Sequence, residues 1–241
     1  MVMLSLALGN MWRLHHPFTA CLAAPSGSGK STFILKFLQH LSELVDGDIQ
    51  HIVWCFGEEG GLPTEVLNNQ SITTYRGVPT NDSGVLQRDT LLILDDLMNS
   101  CMNDLTISDL YTKGSRHRRI SVFILSQNLF HQSKHSRNIS LSTRYFILLK
   151  NVRDKAQFFH LARQIYPENA RSLCQALNDA WSSPFSYFVI DLDPSTAEGL
   201  RFRTNIWPTD PYMIVYAPDT AIEQLHKSGL AVKPTAETLF Q

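Results

Sequence analysis

The sequence predicts an α/β fold built on a mostly parallel central sheet with helices around it. Apolar runs of strand length alternate with stretches in which apolar residues recur at helical spacing, a pattern typical of parallel sheets. The run Thr90–Leu97 is apolar until it ends in two acids, which indicates a central strand buried on both faces. A Gly/Ser-rich turn after Ala23 then links the first strand to the first helix.

The composition is that of an ordinary globular protein. A chain of 241 residues with 44% hydrophobic and 18% charged residues can bury a sizeable core, and we expect one main domain. The formal net charge of -1 gives the whole chain no attraction to nucleic acid or to an anionic membrane. Any contact with DNA must therefore come from a local patch.

The strands and helices are predicted in chain order from their apolar periodicity. Strands are expected at Phe18–Ala23, Ile49–Phe56, Ser71–Tyr75, Thr90–Leu97, Ile120–Leu125 and Arg144–Leu149. Helices are expected at Ser31–Leu44, Ile107–Arg118, Phe158–Ile165 and Ala170–Trp181. Two further strands, Tyr187–Ile190 and Leu200–Ile206, predict a hairpin at the edge of the sheet. We expect a main domain over residues 1–208.

The two ends of the chain are expected to add little to the fold. Met1–Leu8 is apolar but short and has no basic flank, so we expect neither a signal peptide nor a membrane span. Residues 209–241 are assigned to a small C-terminal extension. Its last residues, Glu237–Gln241, match the left half of a picornaviral protease site and are excluded as a tag remnant. Four widely spaced cysteines predict buried free thiols: Cys21, Cys55, Cys101 and Cys174.

The turn between the first strand and the first helix fits the Walker A pattern, with alanine in place of the usual first glycine. Its glycines let successive backbone N–H groups face a phosphate, and the following helix presents its positive end. We expect Lys30 to contact the β- and γ-phosphates and the Ser31 hydroxyl to bind Mg²⁺. The nucleotide-binding residues are predicted to be Ala24, Pro25, Ser26, Gly27, Ser28, Gly29, Lys30, Ser31 and Thr32.

The acids that end the run Leu91–Asp96 fit a Walker B strand. We expect Asp95 to hold Mg²⁺, directly or through water, and Asp96 to accept a proton from the attacking water. The alternative for Asp96 is a carboxylate that only caps the next turn. Gln127, at the carboxyl end of the next strand, is predicted to bond either the γ-phosphate or the water; a surface amide is the alternative.

The order of these elements favours a RecA-like (ASCE) P-loop NTPase with ATP as its nucleotide. Two predicted strands lie between the Walker A helix and the Walker B strand, unlike the order in nucleotide kinases and small GTPases. The chain also lacks the Asn-Lys-x-Asp motif that reads guanine and an Asp-x-x-Gly switch.

At this point the sequence resembles the FtsK/HerA superfamily of DNA-pumping ATPases, and especially the poxvirus-type genome-packaging ATPases of large DNA viruses, virophages and Maverick/Polinton elements. The resemblance covers residues 18–208. The segments that carry it are APSGSGKS, LLILDDLM, GSRHRR followed by ISVFILSQNLF, and RNISLSTRYFILLKNVRD. It implies a homo-oligomeric ring, a pentamer or hexamer, that hydrolyses ATP at its subunit interfaces and threads double-stranded DNA through its centre.

The resemblance also implies an arginine from the neighbouring subunit at each site. Arg119 and Arg116 are the leading candidates, with Arg137 in reserve, and the alternative is that these arginines are solvated or grip DNA phosphates. A capsid partner, an intracellular location in the host cell, and association with the virion during packaging are implied as well.

Two other hypotheses stay open from the sequence. A relative that moves plasmid or chromosomal DNA would share these motifs, although such relatives usually carry extra domains. A nucleotide-binding scaffold or DNA-binding switch would not hydrolyse ATP, which the intact Lys30, Ser31, Asp95 and Asp96 argue against.

Overall fold

The structure is a computed structural model, and it describes residues 1–6, 12–57, 62–97, 105–111, 115–129, 136–153, 155–227 and 232–234. The chain divides into two compact units. The central unit is Arg13–Phe146, and the terminal unit is Met1–Trp12 together with Ile147–Gln241. In the part of the chain that the structure describes, no helix is both long enough and apolar enough to cross a bilayer.

The strands, in chain order, are β1 (Val2–Leu6), β2 (Leu14–His15), β3 (Thr19–Ala23), β4 (Val45–Asp46), β5 (His51–Phe56), β6 (Ile72–Arg76), β7 (Thr90–Asp95), β8 (Ile120–Ser126), β9 (Tyr145–Leu149), β10 (Tyr187–Asp191), β11 (Phe202–Thr204), β12 (Met213–Ala217) and β13 (Val232–Pro234). The α-helices are α1 (Lys30–Gln39), α2 (Leu41–Leu44), α3 (Thr64–Leu67), α4 (Leu105–Asp109), α5 (Ser115–Arg118), α6 (Ser136–Ser142), α7 (Lys155–Ile165), α8 (Ala170–Ala180) and α9 (Asp219–Lys227).

The central unit contains the parallel sheet that the sequence predicts. Its strands pair side by side in the order β3-β8-β7-β5-β6, and every one of these pairs is parallel. All residues of β3 and β8 are buried, as are Thr90–Leu94 of β7, which explains their nearly continuous apolar sequence. Because β8 lies between β3 and β7, the Walker A and Walker B strands are separated by one strand, as the predicted ASCE order requires.

Helices cover both faces of this sheet. On one face, the ring of Phe37 in α1 meets Phe123 of β8 edge-on, with centroids 5.5 Å apart. On the other face, Ile107, Tyr111 and Ile139 pack against alternate residues of β7 and β8. Full burial of each such side chain contributes about 1.5–3 kcal/mol, so the core fixes the sheet firmly. The carboxyl ends of its parallel strands therefore meet at one stable edge.

A polar cluster occupies the opposite, amino-terminal edge of the central sheet. His16 Nδ1 shares a hydrogen bond with Ser121 Oγ at 2.7 Å, and its Nε2 lies 3.4 Å from Asp89 Oδ1. Arg119 Nε donates to the same Asp89 oxygen at 2.5 Å. Asp89 and Arg119 both have left-handed backbone conformations where β7 and β8 are about to begin. This cluster therefore links the start of β7 to the start of the neighbouring strand β8.

The terminal unit is built on antiparallel strands paired in the order β13-β1-β12-β11-β10. The predicted hairpin is present as β10 and β11, but its expected place at the sheet edge is wrong, because β11 also pairs with β12. Residues 209–241, assigned to the extension from the sequence, contribute β12, α9 and β13. The first residues of the chain form β1, a strand that the sequence analysis missed.

Several other predicted elements match with small changes of boundary. The helix expected at Ile107–Arg118 corresponds to α4 and α5, with residues 112–114 outside the described part. Pro167 follows α7 as predicted, and α8 covers the helix expected next. Cys21 and Cys55 are buried free thiols and Cys174 is a half-buried one, whereas Cys101 lies outside the described residues.

Candidate functional site

The Walker A loop joins the end of β3 to the start of α1. The backbone N–H of Ala24 donates to the carbonyl of Ser126 at 3.0 Å, which ties the start of the loop to the end of β8. Gly27 and Gly29 have φ values of 76° and 92°, which glycine adopts without penalty. An added Cβ at Gly27 would meet nothing within 4 Å, so backbone conformation and not space requires glycine there.

Gly29 is also the N-cap of α1, which directs the positive end of that helix at the loop. Pro25 and Ser28 brace the turn, because the Ser28 side chain and backbone N–H both donate to the Pro25 carbonyl. Ser26 and Thr32 are exposed, and Ser31 is half-buried in the first turn of the helix. Ala24, the one departure from the Walker A pattern, is buried and takes part through its backbone.

Lys30 folds back over this loop. Its Nζ donates to the carbonyl oxygens of Ala24 and Pro25 at 2.8 Å and 3.1 Å. Burial lowers the pKa of the Lys30 ammonium group, while the nearby charges of Asp95 and Asp96 act to raise it. Lys30 is therefore in electrostatic contact with both predicted Walker B acids. An anionic phosphate in the loop would give this ammonium a stronger partner than the two carbonyls.

Asp95 ends β7 between the end of β5 and the end of β8, paired in register with Phe56 and Leu125. Burial is the largest influence on this carboxyl group and raises its pKa; Asp96 also raises it. The indole of Trp54 and the charge of Lys30 act in the opposite direction. Trp54 is fully buried, and its Nε1 donates to Asp95 Oδ2 at 3.3 Å.

Trp54 is a site residue that the sequence analysis missed. Its position two residues before the carboxyl end of the strand beside Walker B was the available signal. A fixed indole donor next to a carboxylate restricts the orientations of that carboxylate.

Asp96 is the first residue after β7, and its backbone is left-handed with φ 53°, a conformation that aspartate tolerates better than most residues. Its side chain is exposed, and its Oδ1 accepts a hydrogen bond from Gln127 Nε2 at 3.3 Å. Gln127 is the residue that follows β8. The structure thus brings together the predicted proton acceptor and the predicted sensor at the same sheet edge as the Walker A loop.

Of the three predicted arginines, Arg119 lies at the opposite edge of the sheet from this group. Arg119 precedes the first residue of β8, whereas Gln127 follows the last, so about 26 Å separates them along a strand of 7 residues. Arg119 is paired with Asp89, and that pairing lowers the Asp89 pKa. Arg137 is exposed in the first turn of α6, and the side chain of Arg116 lies outside the described residues.

The residues present fit a magnesium ion. The Ser31 hydroxyl and the Asp95 carboxylate are hard oxygen donors, and Mg²⁺ in phosphate-binding sites is held by one or two protein ligands, substrate phosphates and water. Such a site needs no larger cluster, and the described residues contain no group of three or more His, Cys, Asp or Glu side chains suited to a metal.

The parallel sheet, its strand order and the loop at its carboxyl edge define the RecA-like (ASCE) P-loop NTPase fold class. No family model and no curated protein matches the chain. Among solved structures, it is similar to the genome packaging NTPase B204 from Sulfolobus turreted icosahedral virus 2 in complex with AMP. The identity is 12%, the TM-score 0.49, and the match covers 78% of this chain and 96% of that one.

A second similar structure is B204, the DNA-packaging ATPase from Sulfolobus turreted icosahedral virus, at 12% identity and a TM-score of 0.48. That match covers 75% of this chain and 95% of the other. A third is the cytoplasmic domain of EssC, at 16% identity and a TM-score of 0.40, covering 57% of this chain and 32% of the other. The assignment of the site rests on the residues described above.

Proposed function

We propose that this protein is a Mg²⁺-dependent ATPase that moves double-stranded DNA and packages a viral or virus-like genome into a capsid. The main support for ATPase activity is that four side chains lie together at the carboxyl edge of one parallel sheet: Lys30, Asp95, Asp96 and Gln127. Parallel α/β sheets bind ligands at this edge, and the Walker A loop supplies the phosphate cradle there.

Each residue in the group has a separate task in the proposed reaction. The backbone N–H groups of residues 24–32 bind the β- and γ-phosphates, and Lys30 neutralises their charge. Ser31 and Asp95 would hold the magnesium ion, which supplies charge stabilisation at the β- and γ-oxygens. The strand end and the indole of Trp54 keep Asp95 in one orientation.

The chemical step assigned to this site is hydrolysis of the terminal phosphoanhydride. A water molecule attacks the γ-phosphorus, Asp96 takes the proton from that water, and the bond to the β-phosphate oxygen breaks to leave ADP and phosphate. Gln127, which donates a hydrogen bond to Asp96, would orient that water or bond the γ-phosphate. Asp96 is exposed and can reach solvent water, which supports the base role.

The DNA part of the proposal rests on the sequence resemblance, and the similar structures whose names include genome packaging and DNA packaging agree with it. A homo-oligomeric ring, a capsid docking partner and a place of action inside the host cell belong to the same proposal. A ring would also supply an arginine in trans, the role that the sequence resemblance implies for a neighbouring subunit.

The test measures ATP hydrolysis by the full chain with and without double-stranded DNA while mass photometry reports the assembly state. The proposal predicts hydrolysis that needs Mg²⁺ and rises when DNA is added. Hydrolysis that DNA leaves unchanged, in a protein shown to bind DNA, would contradict translocation. ATP binding without hydrolysis under all conditions would favour the scaffold hypothesis instead.

A further inference from the structure

Helix α7 has one buried face and one basic, partly apolar outer face. Phe158, Leu161 and Ala162 are buried, and the ring of Phe158 meets Phe188 edge-on at 6.1 Å. Beside this buried face, Lys155, Phe159 and Arg163 are exposed at a spacing of four residues, which aligns them along about 12 Å of the helix.

Two loops adjoin the start of this helix and add exposed apolar side chains. Val152 and Phe185 are 81% and 73% exposed. The backbone N–H of Lys150 donates to the Ser186 carbonyl at 2.9 Å, and its Nζ lies 3.4 Å from the carbonyl oxygen of Ser183. These bonds hold the two loops side by side. We name the surface formed by Val152, Arg153, Lys155, Phe159, Arg163 and Phe185 the α7 face.

Phe185 has a left-handed backbone with φ 56°, in addition to its exposure. A bulky residue in this conformation costs about 1–3 kcal/mol, and such strain is concentrated at binding and catalytic sites. The combination of exposure and backbone strain at Phe185 is therefore the feature that suggests a contact with another molecule.

The charge of the α7 face decides which molecule fits. Between residues 150 and 163 the sequence has four Lys or Arg side chains and one acidic residue, Asp154, although the whole chain has a net charge of -1. We propose that the α7 face contacts the phosphodiester backbone of double-stranded DNA, with its basic side chains on phosphates and Phe185 against sugars or bases. This inference rests on the proposed DNA-moving function and gives it a specific surface.

The geometry favours this surface over the basic run before β8, which contains Arg116, Arg118 and Arg119. Duplex DNA carries one charge per about 1.7 Å, so a stripe of about 12 Å can meet several phosphates at once. Arg119 of this run is paired with the carboxylate of Asp89. Within the α7 face, Lys155 Nζ donates to Asn178 Oδ1 at 2.7 Å, and that partner is a neutral amide. A protein partner would need a complementary acidic surface, and a two-fold contact with a second copy of this chain would bring faces of the same sign together.

The test compares three variants of the full chain for binding to a fluorescently labelled DNA duplex over a range of salt concentrations. The first reverses the face, with Arg153→Glu, Lys155→Glu and Arg163→Glu together. The second is conservative, with Arg153→Lys, Lys155→Arg and Arg163→Lys. The third is matched in charge and reverses three exposed arginines of the central unit, Arg88→Glu, Arg118→Glu and Arg137→Glu. Thermal unfolding checks that each variant is folded.

We expect the reversed face to weaken DNA binding by at least about tenfold and to reduce the salt slope of log K by about 2–3, one for each lost phosphate contact. The conservative variant should bind like the wild type. Phe185→Asn, which tolerates the left-handed backbone, should weaken binding without a change in salt slope, because no charge is lost.

The outcomes separate this inference from the proposed function. A wild-type protein that binds no DNA would overturn the DNA-moving function and this inference together. A wild type that binds DNA, with the face-reversed variant equal to it or the central variant more impaired, would overturn the inference alone. If the charge-reversed variant dissociates into monomers that keep the DNA affinity of the wild type, the α7 face is a subunit contact. That result would also overturn the inference.

Discussion

Gln127 Nε2 donates a hydrogen bond to Asp96 Oδ1 at 3.3 Å, which links the residues that follow two adjacent parallel strands. The contact orients the Asp96 carboxylate and leaves its second oxygen to accept a proton. It also means that a γ-phosphate or a water bound by Gln127 would compete directly for the amide that holds Asp96.

This relationship predicts different effects for the two residues. Asp96→Asn keeps the shape of the side chain but removes the proton acceptor, so we expect kcat to fall by about 10²–10⁴ while Mg-ATP still binds. Gln127→Ala leaves the base in place and should cost less, since only its orientation is lost. Steady-state hydrolysis and binding of a fluorescent ATP analogue measure the two quantities separately. Normal turnover by Asp96→Asn would assign the base to another residue.

Trp54 predicts a change in metal dependence. Trp54→Phe retains the buried ring but removes the donor to Asp95, and loss of such an outer partner costs about 10–100-fold in metal affinity or activity. Titration calorimetry of Mg²⁺ into the protein bound to a non-hydrolysable ATP analogue measures this affinity, and Asp95→Asn should lose more. Trp181→Phe is the matched control, because that indole donates to the backbone carbonyl of Leu148. Equal Mg²⁺ affinities for both tryptophan variants would contradict a positioning role.

If one of the three candidate arginines acts across a subunit boundary, we expect two inactive variants to restore ATPase activity when they are mixed. A mixture of Lys30→Ala and an arginine variant should regain ATPase activity, because some interfaces then pair an intact Walker A loop with an intact arginine. An arginine supplied by a neighbouring subunit, called an arginine finger, raises the rate by about 10³–10⁵. Arg119→Ala, Arg116→Ala and Arg137→Ala are compared in turn. Arg119→Ala should also lower the unfolding temperature, since it leaves Asp89 without its closest cation. If each of the three arginine variants assembles with Lys30→Ala and no mixture regains ATPase activity, none of these arginines is an arginine finger.

His16 predicts a pH dependence of stability. Its side chain is fully buried, and burial, the largest influence, lowers its pKa below the ordinary 6.5, although Asp89 acts to raise it. The unfolded chain therefore takes up a proton first as the pH falls, so this stabilising contribution is present above about pH 6.5 and is lost below it. The slope from one proton is at most about 1.4 kcal/mol per pH unit.

The measurement is thermal unfolding of the wild type and His16→Asn between about pH 8 and about pH 5.5. We expect the wild type to lose stability toward the acidic end and the variant to lose less. The low pKa of Asp89 acts in a separate window, below the ordinary aspartate pKa of 3.8. Parallel curves for the two proteins would show that His16 does not titrate differently on unfolding.

The central sheet and most of the candidate site follow from local patterns in the sequence. Buried parallel strands have continuous apolar runs, and the Walker A loop is contiguous, so β7, β8 and residues 24–32 are predicted without tertiary information. β1 was missed because it is a short strand whose partner β12 lies about 210 residues away. The Trp54–Asp95 and Arg119–Asp89 pairs depend on which strands lie side by side, and periodicity does not report that.

ATP hydrolysis by the wild type and Lys30→Ala, each with and without double-stranded DNA, tests the central claim most directly. Within the described residues, the Lys30 ammonium group donates its hydrogen bonds to the loop carbonyls of Ala24 and Pro25, so its removal should leave the unfolding temperature close to that of the wild type. The account predicts Mg²⁺-dependent hydrolysis that DNA stimulates in the wild type and that is lost in Lys30→Ala. Wild-type rates of ATP hydrolysis in a folded Lys30→Ala protein would contradict it.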